Sequence, residues 1–268
     1  VYELQEVIRA TSTMTEKEMK HLRMLRSLFF GAVTIGELKP LVYVLRHKKK
    51  SLTKVLSDVL VIGKKDKAFA PLLKWVEEQV RDEFFETPED VVAYLEKPDH
   101  RDLLLTSGFS KLNFGVSARL ILHEDECDAF YGCLEKALKS NLAGSVSDVA
   151  ITDLLHICRN RNYIANLLAD NERKTFDTRV SEEIFELLLE SGYLRNHDDT
   201  SLLDISFEID PLPAKQISDY IASAKKPLSL FSLSQVLQMN WGRTYLEAGS
   251  VSVLQRTSLT RQQTAIVS

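Results

Sequence analysis

From Thr15 to Val33 the sequence reads TEKEMKHLRMLRSLFFGAV, and little but an α-helix satisfies it. Thr15 and Glu18 stand three apart, the reciprocal capping pair that satisfies two orphan amides at a helix start. Behind them Met19, Leu22, Leu25, Leu28, Phe29, Ala32 and Val33 recur at threes and fours. That spacing draws one apolar stripe along the helix and leaves Lys17, Lys20, Arg23 and Arg26 mostly off it. Gly36 is the expected stop. Pro40 suits the first turn of a second helix, where its missing N–H costs nothing. Leu41, Val42, Val44 and Leu45 make that second helix apolar on most sides and therefore buried. Thr11 to Arg46 thus reads as helix, break, helix, a frame for the rest of the chain.

The same signals recur downstream. Ser51 can cap a third helix with Leu52, Val55, Leu56, Val59 and Leu60 inward and Gly63 just past its end. Ala68 to Phe84 continues the style, with Phe69, Leu72, Leu73 and Val76 on one face. Thr87-Pro88-Glu89-Asp90 is a full start signal, and its helix stops before Pro98. Glu124 to Lys139 turns Cys127, Phe130, Leu134 and Leu138 inward. Ser147 caps a helix carrying Val149, Ile151, Leu154, Leu155 and Cys158. Ser181 caps another, with Ile184, Phe185, Leu188 and Leu189 inward and Gly192 closing it. Two more helices are expected over Ala214 to Ser223 and Ser234 to Leu246.

Strand signals are few. Val1 to Ala10 alternates weakly and reads as a strand or an extended lead-in. Leu203, Ile205, Phe207 and Ile209 alternate in a short strand over Leu202 to Ile209, ended by Pro211 and Pro213. Leu112 to Leu122 reads as a strand or an irregular segment, which leaves open its pairing with Leu202 to Ile209. The expected fold is mainly α, a multi-helix globular bundle with one or two short β-strands. Residues 1–249 form the helical domain, with two subdomains meeting near 106–123 as a variant. The Ser/Thr/Gln-rich residues 250–268 are a flexible tail.

Composition narrows function by exclusion. A formal charge of -4 argues against nucleic acid as a partner, since such domains carry a basic excess. No stretch approaches the roughly 20 apolar residues of a transmembrane helix. Cys127, Cys133 and Cys158 are odd in number and lack a CxxC pair, which fits reduced thiols in a cytoplasmic protein without a metal site. The first residue is Val1 rather than Met, which reads as a processed protein or a piece of a longer one.

Few residues offer chemistry. Ten Lys or Arg against four acids between Arg46 and Arg81 could meet phosphate, but eight acids against two bases follow between Asp82 and Leu105. An internally paired surface is the simpler reading. His21, His47, His100, His123, His156 and His197 include no metal-binding i, i+4 pair. His123-Glu124-Asp125-Glu126-Cys127 gathers potential ligands, yet consecutive helical residues point in different directions. His156 and Cys158 cannot share a helix face. Asp198-Asp199 suits a solvated turn. There is no GxSxG, P-loop or GxGxxG. Trp75 reads as core. Trp241, Arg243 and Tyr245 form an aromatic and cationic cluster whose first reading is internal packing and whose second is contact with a partner. A catalytic site scattered along the chain is a third, weaker reading.

One resemblance bears on function. The stretch YELQEVIRATSTMTEKEMKHLRMLRSLFFGAVTIGELKPLVYVLR resembles the start of the helical region that follows the catalytic barrel in cobalamin-binding radical SAM enzymes. There a Thr-Ser-Thr-Met-like turn leads into a helix, then a glycine and a Leu-rich helix. Here these correspond to Thr11 to Glu18 and to Gly36 to Leu41. The match covers roughly the first fifth of the chain. It implies a longer parent with a cobalamin-binding fold and a barrel holding an iron–sulfur cluster on a CxxxCxxC loop. Such enzymes use S-adenosylmethionine to make a radical, often for methyl transfer. The cluster motif is absent from this sequence, so no catalytic or cofactor-binding residue carries over. The chain would be a C-terminal accessory domain that covers substrate or scaffolds the barrel, its partner the remainder of that polypeptide. The alternative is an independent helical module that binds another protein.

Overall fold

A computed structural model describes residues 10–81, 85–99, 112–162, 164, 175–194, 204–208, 211–223 and 229–239. The first helix, α1 (Glu16–Phe29), begins on the expected capping box. The Thr15 N–H donates to Glu18 Oε2 at 2.7 Å, and the Glu18 N–H donates to Thr15 Oγ1 at 3.3 Å. The helix then widens into a π-helical segment, Phe30–Ile35, and stops at Gly36 with φ 93°. That left-handed conformation is cheap only without a Cβ. Pro40 sits in the first turn of α2 (Lys39–His47), whose Leu41, Val44 and Leu45 are buried.

Three helices follow: α3 (Leu52–Gly63), capped by Ser51, then α4 (Ala70–Arg81) and α5 (Pro88–Leu95), which opens on a Thr87–Asp90 capping box. Gly63 ends α3 for a packing reason. A Cβ there would lie 2.3 Å from the Phe69 ring, so only glycine lets that fully buried ring fold back over the helix end.

Leu112–Leu122 is a helix, α6, and not the strand or irregular segment that its alternation suggests. Phe114, Gly115, Val116, Ser117, Ala118 and Leu120 are all buried. Alternation marks a strand only when the polar positions face water. Here the small residues are where neighbours approach. A Cβ on Gly115 would stand 3.3 Å from Trp75, and one on Gly31 would stand 3.2 Å from Ser117 Oγ. Helix α6 touches α1, the π-segment, α4 and the helix α11 described below.

Two long helices, α7 (Glu124–Asn141) and α8 (Asp148–Asn160), complete the centre. Among the described residues the seam between α3 and α7 is the most extensive, and Val55, Leu56, Val59 and Leu60 of α3 and Phe130, Leu134 and Leu138 of α7 are buried. Asn141 Nδ2 ties it with a 2.8 Å bond to Asp58 Oδ2. Each buried leucine contributes about 1.5–3 kcal/mol by leaving water.

Strand β1 (Thr175–Arg179) precedes α9 (Glu182–Glu190), and strand β2 (Asp204–Glu208) precedes α10 (Pro211–Ser223) and α11 (Leu230–Met239). The strands pair antiparallel with Thr175 opposite Glu208 and Arg179 opposite Asp204. The expected second strand is therefore present, but its partner is Thr175–Arg179, not Leu112–Leu122. Helix α10 starts at Pro211 rather than Ala214, and α11 at Leu230 rather than Ser234, because Ser229 Oγ accepts the Ser232 N–H. One cluster of buried side chains runs from Met24 to Leu237. The fold is mainly α.

Candidate functional site

The helix break at Gly36–Glu37 is where buried polar groups converge. Arg161, one residue past α8, is 1% exposed. Its Nη1 donates to the Gly36 carbonyl at 2.8 Å and to the Glu37 carbonyl at 3.4 Å. Its guanidinium also lies 5.9 Å from the Tyr193 ring, which meets Tyr43 of α2 edge-on at 5.6 Å. Glu37 is 7% exposed and sits just before α2, where the helix dipole favours a negative charge. Its Oε2 and Ser117 Oγ lie within 3.6 and 3.2 Å of the point where a Gly31 Cβ would stand. Four elements thus meet around one reversal of the chain.

The neighbouring thiols are quiet. Cys158 is fully buried, and burial pushes its thiol up to about 12, against a smaller opposing pull from Arg161. Half-buried Cys127 is likewise pushed up to about 12, by burial first and then by the Glu37 charge. Burial also raises Cys133, with Asp66 adding to it. A raised thiol pKa leaves little thiolate at neutral pH and so slows reaction. The arrangement clamps a turn.

A second polar group joins α4, α6 and α7. Arg119 Nε donates to Glu126 Oε2 at 2.7 Å, with its guanidinium 5.1 Å from the half-buried Trp75 ring. Glu126 thus serves an ion pair, while Arg159 reaches Glu124 at 3.8 Å and Asp128 at 2.5 Å. His123 is exposed at the start of α7. Among the described residues no three or more of His, Cys, Asp and Glu are grouped to hold a metal. His156 is exposed while Cys158 is buried, so they occupy different faces of α8.

The basic stretch finds some of its counter-charges near at hand. His47 Nε2 is 3.3 Å from Glu190, Lys54 is 2.7 Å from Asp58, and Lys74 is 4.0 Å from Glu78. Trp241, Arg243 and Tyr245 lie outside the described residues, as do Asp198 and Asp199.

The buried clamp escapes sequence reasoning. Arg161 follows an amphipathic helix in the series Cys158-Arg159-Asn160-Arg161, and no local period separates a buried arginine from the exposed kind. Its readable counterpart is Gly36, a helix stop followed by an acid. Compared with known protein families, characterised proteins and solved structures, the chain has no match.

Proposed function

We propose that this chain is the C-terminal accessory domain of a cobalamin-dependent radical SAM enzyme, without a complete active site of its own. The supporting observation is the place of the resembling stretch in the fold. Residues 11–46 hold the capping box, the π-segment, the left-handed Gly36 and α2. Through α1 they meet α3, α4 and α6, and through α2 they meet α8 and α9. The segment that carries the likeness is therefore in contact with five other helices. In this reading the domain covers substrate or braces the barrel in a cytoplasmic enzyme, with the radical step, often a methyl transfer, left to the parent chain. Nucleic acid has no part in it.

The cysteines of this chain do not fit an iron–sulfur cluster: Cys133 and Cys158 are buried thiols on different helices, and no CxxxCxxC loop links them. Cobalamin, S-adenosylmethionine and the cluster would be held elsewhere in the parent. Among the described residues no helix is long and apolar enough to cross a membrane.

The test compares the chain alone with the chain fused to whatever its reading frame encodes before Val1. Iron–sulfur and cobalamin absorbance that appears only in the longer protein is the expected result. An upstream region that carries neither cofactor would sink this reading. The second reading, an independent protein-binding module, draws on three exposed apolar side chains of α1 and the π-segment: Leu22 at 42%, Phe29 at 39% and Val33 at 41%.

A further inference from the structure

Helix α3 ends in a turn that carries charge without counter-charge. Lys64, Lys65 and Lys67 follow its last residue, and all three are exposed. The turn is tightly held. The Lys65 N–H donates to the Ile62 carbonyl at 3.0 Å and the Asp66 N–H to the Gly63 carbonyl at 3.1 Å. Buried Phe69 folds back over Gly63 and fixes the same turn from within. Asp66 is the one acid between Val61 and Lys74, and its carboxylate is turned toward α4. There Oδ1 accepts the Ala68 and Phe69 N–H groups at 3.0 and 3.1 Å.

Helix α7 brings a fourth cation to this end of the seam. The Phe69 ring stands 5.8 Å from the Phe130 ring, and the charges of Asp66 and Lys136 both act on the Cys133 thiol. Lys136 is exposed. Its sequence neighbour Glu135 is engaged elsewhere, by Lys139 at 3.0 Å and by the Thr152 hydroxyl at 2.9 Å. Among the described residues none of the four lysines takes part in an ion pair. A chain of net charge -4 thus gathers four cations where α3 ends against α7.

The residue types select the partner. Between Val61 and Ala70 there is no arginine, and the aromatic ring of Phe69 is buried. Protein and nucleic-acid interfaces draw on arginine forks and aromatic faces, which grip shaped groups. Lysines are point charges on flexible stems and suit a diffuse anionic plane. The face of a bilayer with acidic headgroups is such a plane, and each lysine near it adds to the attraction. Val61, 58% exposed, stands one turn before Lys64 and offers an apolar side chain to the headgroup boundary.

We propose that Lys64, Lys65, Lys67 and Lys136, around Val61, form a peripheral docking patch for an anionic lipid surface. This inference stands apart from the radical SAM setting and uses only the charge and geometry of the α3–α4 turn.

The test is sedimentation of the full chain with vesicles of phosphatidylserine and phosphatidylcholine, against vesicles of phosphatidylcholine alone. The chain should pellet with the acidic vesicles only, and added salt should release it. Lys64→Gln with Lys65→Gln and Lys67→Gln should weaken binding about a hundredfold, at roughly fivefold per lysine, with the thermal midpoint in place. Arg46→Gln with Lys49→Gln and Lys50→Gln removes as many exposed cations from the other end of α3. That variant should lose less than about fivefold, because screening confines each charge to its surroundings. Equal losses from the two variants would reduce the effect to net charge and overturn the proposal. So would equal pelleting with both vesicles, or with neither. Capture by soluble polyglutamate without any vesicle binding would assign the patch to an acidic protein instead.

Discussion

Arg161 is the residue on which the most depends for its size. A buried guanidinium with two carbonyls beneath it replaces water that the Gly36–Glu37 break would otherwise need. Arg161→Met should cost about 2–4 kcal/mol in urea unfolding, since it strands buried acceptors and removes the cation beside Glu37. Arg161→Lys should recover roughly half at most, because an ammonium lacks the planar fork. Gly63 makes an independent prediction. Gly63→Ala should cost about 1–3 kcal/mol by driving a methyl into the Phe69 ring, and Phe69→Leu in that background should cost less than it does alone. The thiols predict a third result. At pH 7.5 buried Cys133 and Cys158 should resist an aromatic disulfide reagent until the urea midpoint, and Cys127 should react slowly.

Among the elements, α8 and α9 show how helix starts are shared. Ser147 caps α8 with its own hydroxyl, as the sequence suggests, accepting the Ala150 N–H at 3.1 Å. The Ser147 N–H is in turn taken by Glu183 of α9 at 2.8 Å. Ser181 occupies the matching place before α9, yet its hydroxyl makes no capping bond; its N–H donates to Asp153 of α8 at 2.8 Å. Each helix lends a carboxylate to the other's N-terminal end. The bonds from Ser147, helped by Lys48, hold the Glu183 carboxyl below its ordinary 4.5. A folded-state value below the unfolded one contributes stability above pH 4.5 that is lost as the pH falls below it. Glu183→Gln should therefore lower stability at pH 7 and flatten the acid side of the stability profile below about pH 4.5, read from thermal midpoints at stepped pH. Because Glu183 is exposed, the effect will be small.

At the scale of the molecule, a single cluster of buried side chains joins α1 to α11. Leu134→Ala at the α3–α7 seam and Leu233→Ala in α11 should each cost about 2–5 kcal/mol. Both should shift one common transition in far-UV circular dichroism. A second transition left in place by either change would mean that the core unfolds in parts.

The local signals in the sequence determined most helix starts and stops, because capping needs only residues three or four apart. Thr15 with Glu18, Thr87 with Asp90, Ser51, Gly36 and Gly192 all act where the sequence places them. Tertiary structure decided what depends on neighbours distant in sequence. It made α6 a helix, since burial on nearly every side erased the polar face that periodicity relies on. It centred the buried arc of α1 on Met24, Leu25 and Leu28 and left Leu22 and Phe29 at its margin, because an apolar stripe says that a face is buried but not how far the neighbours cover it. It paired β2 with Thr175–Arg179, a strand with one apolar residue and thus almost no period of its own. And it buried Arg161 against a turn 125 residues away, a contact that only a completed core can make.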